Sequence, residues 1–240
     1  MTRFVIPPPP QPSLPTATGG RFPIRRIFCV GRNYADHARE MGHDPNAEPP
    51  FYFTKPADVV VESGSTIPYP PATSDLHHEA ELVVAIGKGG SNISPEDAPA
   101  HIWGHAAGND LTRRDLQAAA KAARRPWDMS KGFDASAVVG PIHPGPITNA
   151  TITCTVDGKL TQSARLSDMI WPVPAIIAHL SRLVTLAPGD LIFTGTPAGV
   201  GPLKPGQTCT VKIDGLTAAT VTITRSAFIP AKILPPEAIP

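Results

Sequence analysis

The residues best suited to chemistry lie in the segment His78-Glu79-Ala80-Glu81, within an otherwise apolar run from Leu76 to Ile86. The Val and Ile content of this run predicts a β-strand, in which Glu79 and Glu81 point to the same face. Two like charges this close must be hydrated, paired with cations or bound to a metal ion. The alternative is a half-exposed strand that carries two solvated glutamates.

A third carboxylate, Asp110, follows Gly108 and Asn109 and comes just before a predicted helix. Thr112 and Asp115 have the spacing of a capping box at the start of that helix. Asp110 can therefore be a helix cap or a third acidic group beside the glutamate pair.

A candidate general base is His37, in a helix predicted over 34–41 with Asn33 as its N-cap. Glu40 is three residues further on and shares a helix face with His37. A carboxylate beside an imidazole orients the ring and raises its basicity, as a general base requires. A solvated surface pair has the same spacing, so the spacing leaves both interpretations open.

For the other polar residues, a functional role depends on which residues lie near them in the fold. Arg114 and Gln117 are three apart on one helix and can point together. Lys131 precedes a glycine in a predicted loop, where a lysine is usually solvated. The glycine-rich stretch from Gly195 to Gly201 can offer backbone amides to an anion or simply form two turns.

The elements that must position these residues are mostly short strands. Strands are predicted at 26–30, 51–56, 59–61, 76–86 and 191–194, with hairpins at 151–163 and 207–224. Helices are predicted at 34–41, at 115–125 and from Pro174 to about residue 184. The 30 prolines exclude a helical bundle, since an interior proline breaks a helix. A loop-rich, mostly β protein is expected.

Composition narrows the function classes. The 240 residues favour one domain, 23–240, preceded by a proline-rich arm, 1–22. A net charge of +1 gives no reason to expect nucleic acid or a membrane as partner. Three cysteines without CxxC spacing argue against a disulfide framework or a zinc knuckle. No signal peptide or membrane span is expected, so a cytoplasmic protein is predicted.

Five motifs occur in order, and together they resemble the fumarylacetoacetate hydrolase family over about residues 25 to 225. They are Gly31-Arg32-Asn33-Tyr34-x-x-His37, His78-Glu79-x-Glu81, Asn109-Asp110-x-Thr112-x-Arg114-Asp115-x-Gln117, Lys131-Gly132-Phe133 and Gly195-Thr196-Pro197-x-Gly199-Val200-Gly201. Within the family, the chain looks similar to the bacterial fumarylpyruvate hydrolases of gentisate degradation.

The resemblance implies an α+β, mostly β fold, a mixed β-sandwich or β-roll with a few short helices, usually dimeric. It implies that Glu79, Glu81 and Asp110 bind Mg²⁺ or Mn²⁺, which prefer oxygen ligands. His37, Glu40 and Lys131 would then be catalytic. The expected substrate-binding residues are Arg32, Tyr34, Arg114, Gln117, Gly195 and Thr196.

The activity that the resemblance implies is metal-dependent hydrolysis of the carbon–carbon bond of an acylpyruvate, a 2,4-diketo acid. The expected reaction converts fumarylpyruvate to fumarate and pyruvate. The same scaffold also serves oxaloacetate decarboxylation and isomerisation or decarboxylation of 2-oxo-hept-3-ene-dioate. A non-catalytic protein that binds oxo acids through a metal is an alternative from another class.

Overall fold

The computed structural model describes residues 4–40 and 49–225, without the side chains of Ala38 and Glu40. The strands are β1 Ser13–Pro15, β2 Arg21–Pro23, β3 Arg26–Gly31, β4 Phe51–Lys55, β5 Val60–Glu62, β6 Ser65–Pro68, β7 Leu76–His78, β8 Ala80–Ile86, β9 Ile102–Asp110, β10 Thr112–Arg113, β11 Ala137–Val139, β12 His143–Pro144, β13 Thr151–Val156, β14 Lys159–Arg165, β15 Asp190–Phe193, β16 Gly201–Pro202, β17 Thr208–Ile213 and β18 Ala219–Thr224. The helices are α1 Ala35–Glu40, α2 Arg114–Ala122, α3 Asp128–Lys131 and α4 Val173–Leu183, with 3₁₀ turns at Ala57–Val59, Ala98–His101 and Leu166–Asp168. The predicted mostly β, α+β class is confirmed.

An eight-stranded mixed sheet carries the acidic strand at its centre. Its order is β4-β3-β15-β8-β9-β11-β5, and β12 pairs with β9. A five-stranded sheet has the order β14-β13-β17-β18-β6, and β7 lies between β10 and β16 in a small third sheet. The large sheet therefore places β8, which bears Glu81, between β15 and β9.

The period of two along β8 divides its side chains between two hydrophobic cores. Ala80, Leu82, Val84 and Ile86 belong to the core shared with α4 and the five-stranded sheet. Val83 and Ala85 belong to the core on the opposite face. The predicted alternation is therefore confirmed, but neither face is solvated because β8 is buried along its whole length.

The proline-rich start contains the hairpin β1–β2. Leu14 is fully buried, and Ala17 N–H donates to the carbonyl of Ile142 at 2.9 Å. The described part of the arm thus packs on the large sheet from Ser13 onward, and the division into 1–22 and 23–240 stays a prediction.

Some local predictions are wrong. Thr112 does not cap α2, because its hydroxyl donates to the carbonyl of Asp110, and the carboxylate of Asp115 accepts from Thr73 and Ser74. Asn33 does not cap α1 through its side chain, which instead bonds to the backbone of residues 171 and 194. None of the described helices is long and apolar enough to cross a lipid bilayer.

Candidate active site

The strand register brings the third carboxylate to the glutamate pair. In the antiparallel pair β8–β9, Ala80 lies opposite Asn109 and Glu81 opposite Gly108. The ladder ends where Asp110 N–H donates to the carbonyl of Glu79 at 2.9 Å. Glu79 separates β7 from β8, and its hydrogen bond with Asp110 at the end of this ladder brings the three acidic residues together.

Glu79, Glu81 and Asp110 form a buried carboxylate triad. One oxygen of each lies within 4.8 Å of the others. All three residues are buried, and Asp110 has no solvent exposure. The interpretation of solvated glutamates is therefore wrong.

Three cations contact two members of the triad. Lys131 Nζ lies 2.8 Å from both Glu79 Oε2 and Asp110 Oδ2, and Arg114 donates to Glu79 Oε1 at 2.5 Å. Lys55 Nζ is 2.8 Å from Asp110 Oδ1, a charge contact whose angles fall short of a hydrogen bond. Lys131 is thus a buried residue at the end of α3, and its predicted position in a solvated loop is wrong.

The protonation equilibria follow from this pairing. Burial raises the pKa of Glu79, but Lys131 and Arg114 outweigh burial and hold that pKa below its ordinary value. Burial lowers the pKa of Lys131, but Asp110 and Glu79 outweigh it, so the net shift is upward. Glu81 differs, because burial and then the charges of Asp110 and Glu79 raise its pKa well above the ordinary value.

Glu81 is the member that lacks a close cation among the described residues. Its carboxylate oxygen Oε2 accepts a hydrogen bond from Gly195 N–H at 2.7 Å. A divalent ion held by one oxygen from each carboxylate would supply the missing charge, and an all-oxygen donor set suits Mg²⁺ or Mn²⁺. The residues present therefore fit such an ion.

Glu79 and Glu81 line a cavity of about 30 Å³, which lies in a partly solvent-open recess with about 380 Å³ of atom-free space. The predicted site residues that line it are Arg32, His37, Glu79, Glu81, Arg114, Gln117, Lys131 and Thr196. His37 is buried, and its charge is one of those that lower the pKa of Glu79. The side chain of Glu40, the predicted partner of His37, lies outside the described residues.

Two predicted binding residues have other contacts. Tyr34 is buried in the core and is not among the residues that line the cavity. Gly195 donates its backbone N–H to Glu81 rather than facing the cavity. Thr196 does line the cavity, and its hydroxyl accepts a hydrogen bond from Gln162 at 2.8 Å.

Sequence reasoning missed Lys55, Lys121 and Trp127. Lys55 ends an apolar strand and is fully buried, where its ammonium donates to the carbonyls of Leu111, Lys131 and Ser136. The available signal was a lysine at the end of an aromatic strand. Lysine is almost never fully buried unless it is paired, so its position in such a strand indicates partners inside the protein. Lys121 and Trp127 line the cavity and carry no comparable local signal.

A sulfur cluster lies on the other side of the acidic strand. The three cysteines are free, as expected, but Sγ of Cys154 is 3.4 Å from Sγ of Cys209 and 3.5 Å from Nδ1 of His78. Gln162 and Asn109 already hydrogen-bond to His78 and Cys209. Strand pairing between β13 and β17 brings these cysteines together, which their 55-residue separation conceals.

Comparisons with known proteins identify the family of this chain. The family model described as fumarylacetoacetate (FAA) hydrolase, C-terminal, matches residues 26–224. The chain belongs to the fumarylacetoacetate hydrolase family.

Two curated relatives show the range of activities near this sequence. A mitochondrial oxaloacetate decarboxylase of Dictyostelium discoideum is 42% identical over 197 residues, covering 80% of this chain and 90% of the relative. A fumarylpyruvate hydrolase of a Ralstonia species is 43% identical over 183 residues, covering 75% of this chain and 95% of the relative.

A solved relative holds a metal ion and an oxo acid. The crystal structure of fumarylpyruvate hydrolase from Pseudomonas aeruginosa, in complex with Mn²⁺ and pyruvate, superimposes with a TM-score of 0.91 at 46% identity. The match covers 93% of this chain and all of that one. This chain is therefore an enzyme of a family that includes hydrolases and decarboxylases of oxo acids.

Proposed function

We propose that this protein hydrolyses the carbon–carbon bond of an acylpyruvate, with fumarylpyruvate as substrate and fumarate and pyruvate as products. The observation that carries the proposal is the buried triad of Glu79, Glu81 and Asp110 beside a cavity that also exposes His37 and Lys131. The relative from Pseudomonas aeruginosa, which binds Mn²⁺ and pyruvate, supports the same use of the cavity.

The carboxylate triad would hold Mg²⁺ or Mn²⁺, which when bound supplies a Lewis acid for the pyruvate end of the substrate. His37, with Glu40 as its orienting partner, would take a proton from water. The water oxygen bonds to carbonyl carbon C4, and Lys131, with Gln117 as a second donor, stabilises the oxyanion. The C3–C4 bond then breaks, its electron pair stays with the enolate of pyruvate, and C3 gains a proton.

The cationic side chains that line the cavity support the proposal that the substrate is anionic. Arg32 and Arg114 line it, and Arg114 donates to Gln117 Oε1 at 2.7 Å. This contact fixes the amide of Gln117, which is itself buried. Arg114 would brace the metal site through Glu79, while Arg32 and Thr196 would meet the substrate. The predicted homodimer and cytoplasmic location stay predictions.

Oxaloacetate decarboxylation is a second candidate, favoured by the decarboxylase relative at 42% identity. It would use the same metal-bound oxo acid, but it releases carbon dioxide and needs no attacking water. Isomerisation of a seven-carbon diacid would likewise need no water. A general base also serves isomerisation, so the substrate that is turned over separates these reactions, and His37 tests the base step of hydrolysis.

The test compares wild type and His37→Ala on fumarylpyruvate, maleylpyruvate, acetylpyruvate and oxaloacetate with saturating Mn²⁺. Loss of the base should reduce fumarylpyruvate turnover by about 10²–10⁴-fold. His143→Ala is the matched control, because His143 bonds to Thr217 in a different part of the fold. Near-normal hydrolysis by His37→Ala, or turnover of oxaloacetate alone by wild type, would reject the proposal.

A further inference from the structure

One face of α2 carries three polar side chains into the cavity. Arg114, Gln117 and Lys121 are spaced by three and four residues, so they project in nearly the same direction from the helix. All three line the cavity. The helix therefore presents a row of donors that begins at the carboxylate triad and runs away from it.

The contacts and the burial of the three side chains change along the row. Arg114 contacts Glu79, and Gln117 is 3% exposed, whereas Lys121 is half-buried. The ammonium of Lys121 lies 5.1 Å from the centre of the Trp127 ring. Within 4–40 and 49–225, Lys121 forms no hydrogen bond or ion pair with an acidic residue. It is a cation in the cavity without a carboxylate of its own.

The row extends along the cavity by about two helical turns. Seven residues of α-helix rise about 10 Å, which is the axial distance along the helix from Arg114 to Lys121. The terminal carboxyl carbons of an extended seven-carbon diacid are about 8 Å apart, and those of a four-carbon diacid about 4 Å, from ordinary bond lengths. With one end of the ligand at the triad, the longer diacid therefore carries its second carboxylate further along the row towards Lys121.

We infer that Lys121 is the specificity residue that binds the distal carboxylate of a seven-carbon 2-oxo diacid, with Trp127 positioning its ammonium. This inference rests on the proposed function for the orientation of the ligand, whose oxo-acid end lies at the metal. A four-carbon oxo acid bound in the same orientation extends less far along the row.

The test is a binding measurement that does not depend on turnover. In calorimetry with saturating Mn²⁺, wild type should bind 2-oxoheptanedioate about 10- to 100-fold more tightly than 2-oxoheptanoate, the usual range for a charged hydrogen bond. The two ligands have equal length and differ only in the distal carboxylate, and neither has the 4-keto group needed for hydrolysis. Lys121→Met should abolish this preference, and Lys121→Arg should retain most of it.

Lys159→Met is the matched control, because Lys159 is exposed in the β13–β14 hairpin and its loss changes net charge equally. The control should keep the preference for the diacid. Equal affinity of wild type for the two ligands would overturn the inference, as would an unchanged preference in Lys121→Met. If these variants behave as expected and wild type fails to hydrolyse fumarylpyruvate, the proposed reaction fails while the role of Lys121 stands.

Discussion

Replacing Glu81 with Gln should stabilise the metal-free protein and weaken its stabilisation by metal. The amide oxygen of Gln can still accept the hydrogen bond from Gly195, so shape and this contact are retained. What disappears is the cost of burying an acidic group next to Glu79 and Asp110, the same cost that raises the pKa of Glu81. Replacing a buried group normally lowers the unfolding free energy of a protein, whereas here we expect the unfolding free energy to rise.

The magnitude follows from the separations. The ligand oxygens lie within 4.8 Å of one another, and two unit charges at that limit repel by about 3.5 kcal/mol at an effective dielectric of 20. Glu81 has two such neighbours, but the ammonium of Lys131, shared by Glu79 and Asp110, offsets much of the repulsion. We expect a net gain in unfolding free energy on the order of 2 kcal/mol without metal.

Urea denaturation in EDTA and in Mn²⁺ measures both effects. At a metal concentration of 1,000 times its Kd, wild type gains about 4.1 kcal/mol, and a variant that binds a hundredfold more weakly gains about 1.4 kcal/mol. The advantage of Glu81→Gln in EDTA should therefore vanish in Mn²⁺. Glu96→Gln, at an exposed position, is the control for the substitution itself. A less stable Glu81→Gln in EDTA, or an equal metal response in both proteins, would refute the reasoning.

Two other predictions concern the lysines. Lys55→Met should lower the unfolding free energy measured in urea by about 3 kcal/mol, the low end for breaking a buried ion pair, because Asp110 keeps its contact with Lys131. Lys88→Met, at an exposed position, is the control and should change the unfolding free energy little. An equal effect of the two substitutions would contradict this prediction. Burial, then Arg114 and Arg32, lowers the pKa of Lys121 to about 8. The charges that act on its ammonium are those of Arg114, Arg32, Glu79 and Lys131. The cationic form exists below that pKa, so the preference for 2-oxoheptanedioate should decline as pH rises through about 8. Lys121→Arg should show no such decline, and a flat profile in wild type would contradict the prediction.

Local patterns were sufficient for elements whose own residues determine them. The hairpin β13–β14 and helix α4 lie where turn residues, proline and apolar periodicity placed them. The period of two in β8 assigned its side chains to opposite faces correctly. Local patterns failed for Thr112 and Asp115, because both side chains bond to partners outside a capping box.

Burial could not be predicted from the same patterns. The local sequence allows Glu79 and Glu81 to be either solvated or buried. Only the packing of both faces of the sheet makes β8 a buried central strand. Lys131 has the local sequence of a loop lysine, yet the carboxylates of Glu79 and Asp110 hold its ammonium inside the protein. Cys154 and Cys209 meet only because β13 pairs with β17.

The sequence by itself determined the residue types for the chemistry, the mostly β class and the family resemblance, since these depend on residue identity, order and short-range periodicity. Only the tertiary structure decided which charges neutralise one another, that Lys55 and Lys121 join the site, and that Gly195 supports Glu81. The physical reason is that electrostatic energy depends on distance and on exclusion of water. Both are set by strand pairing between residues far apart in the chain.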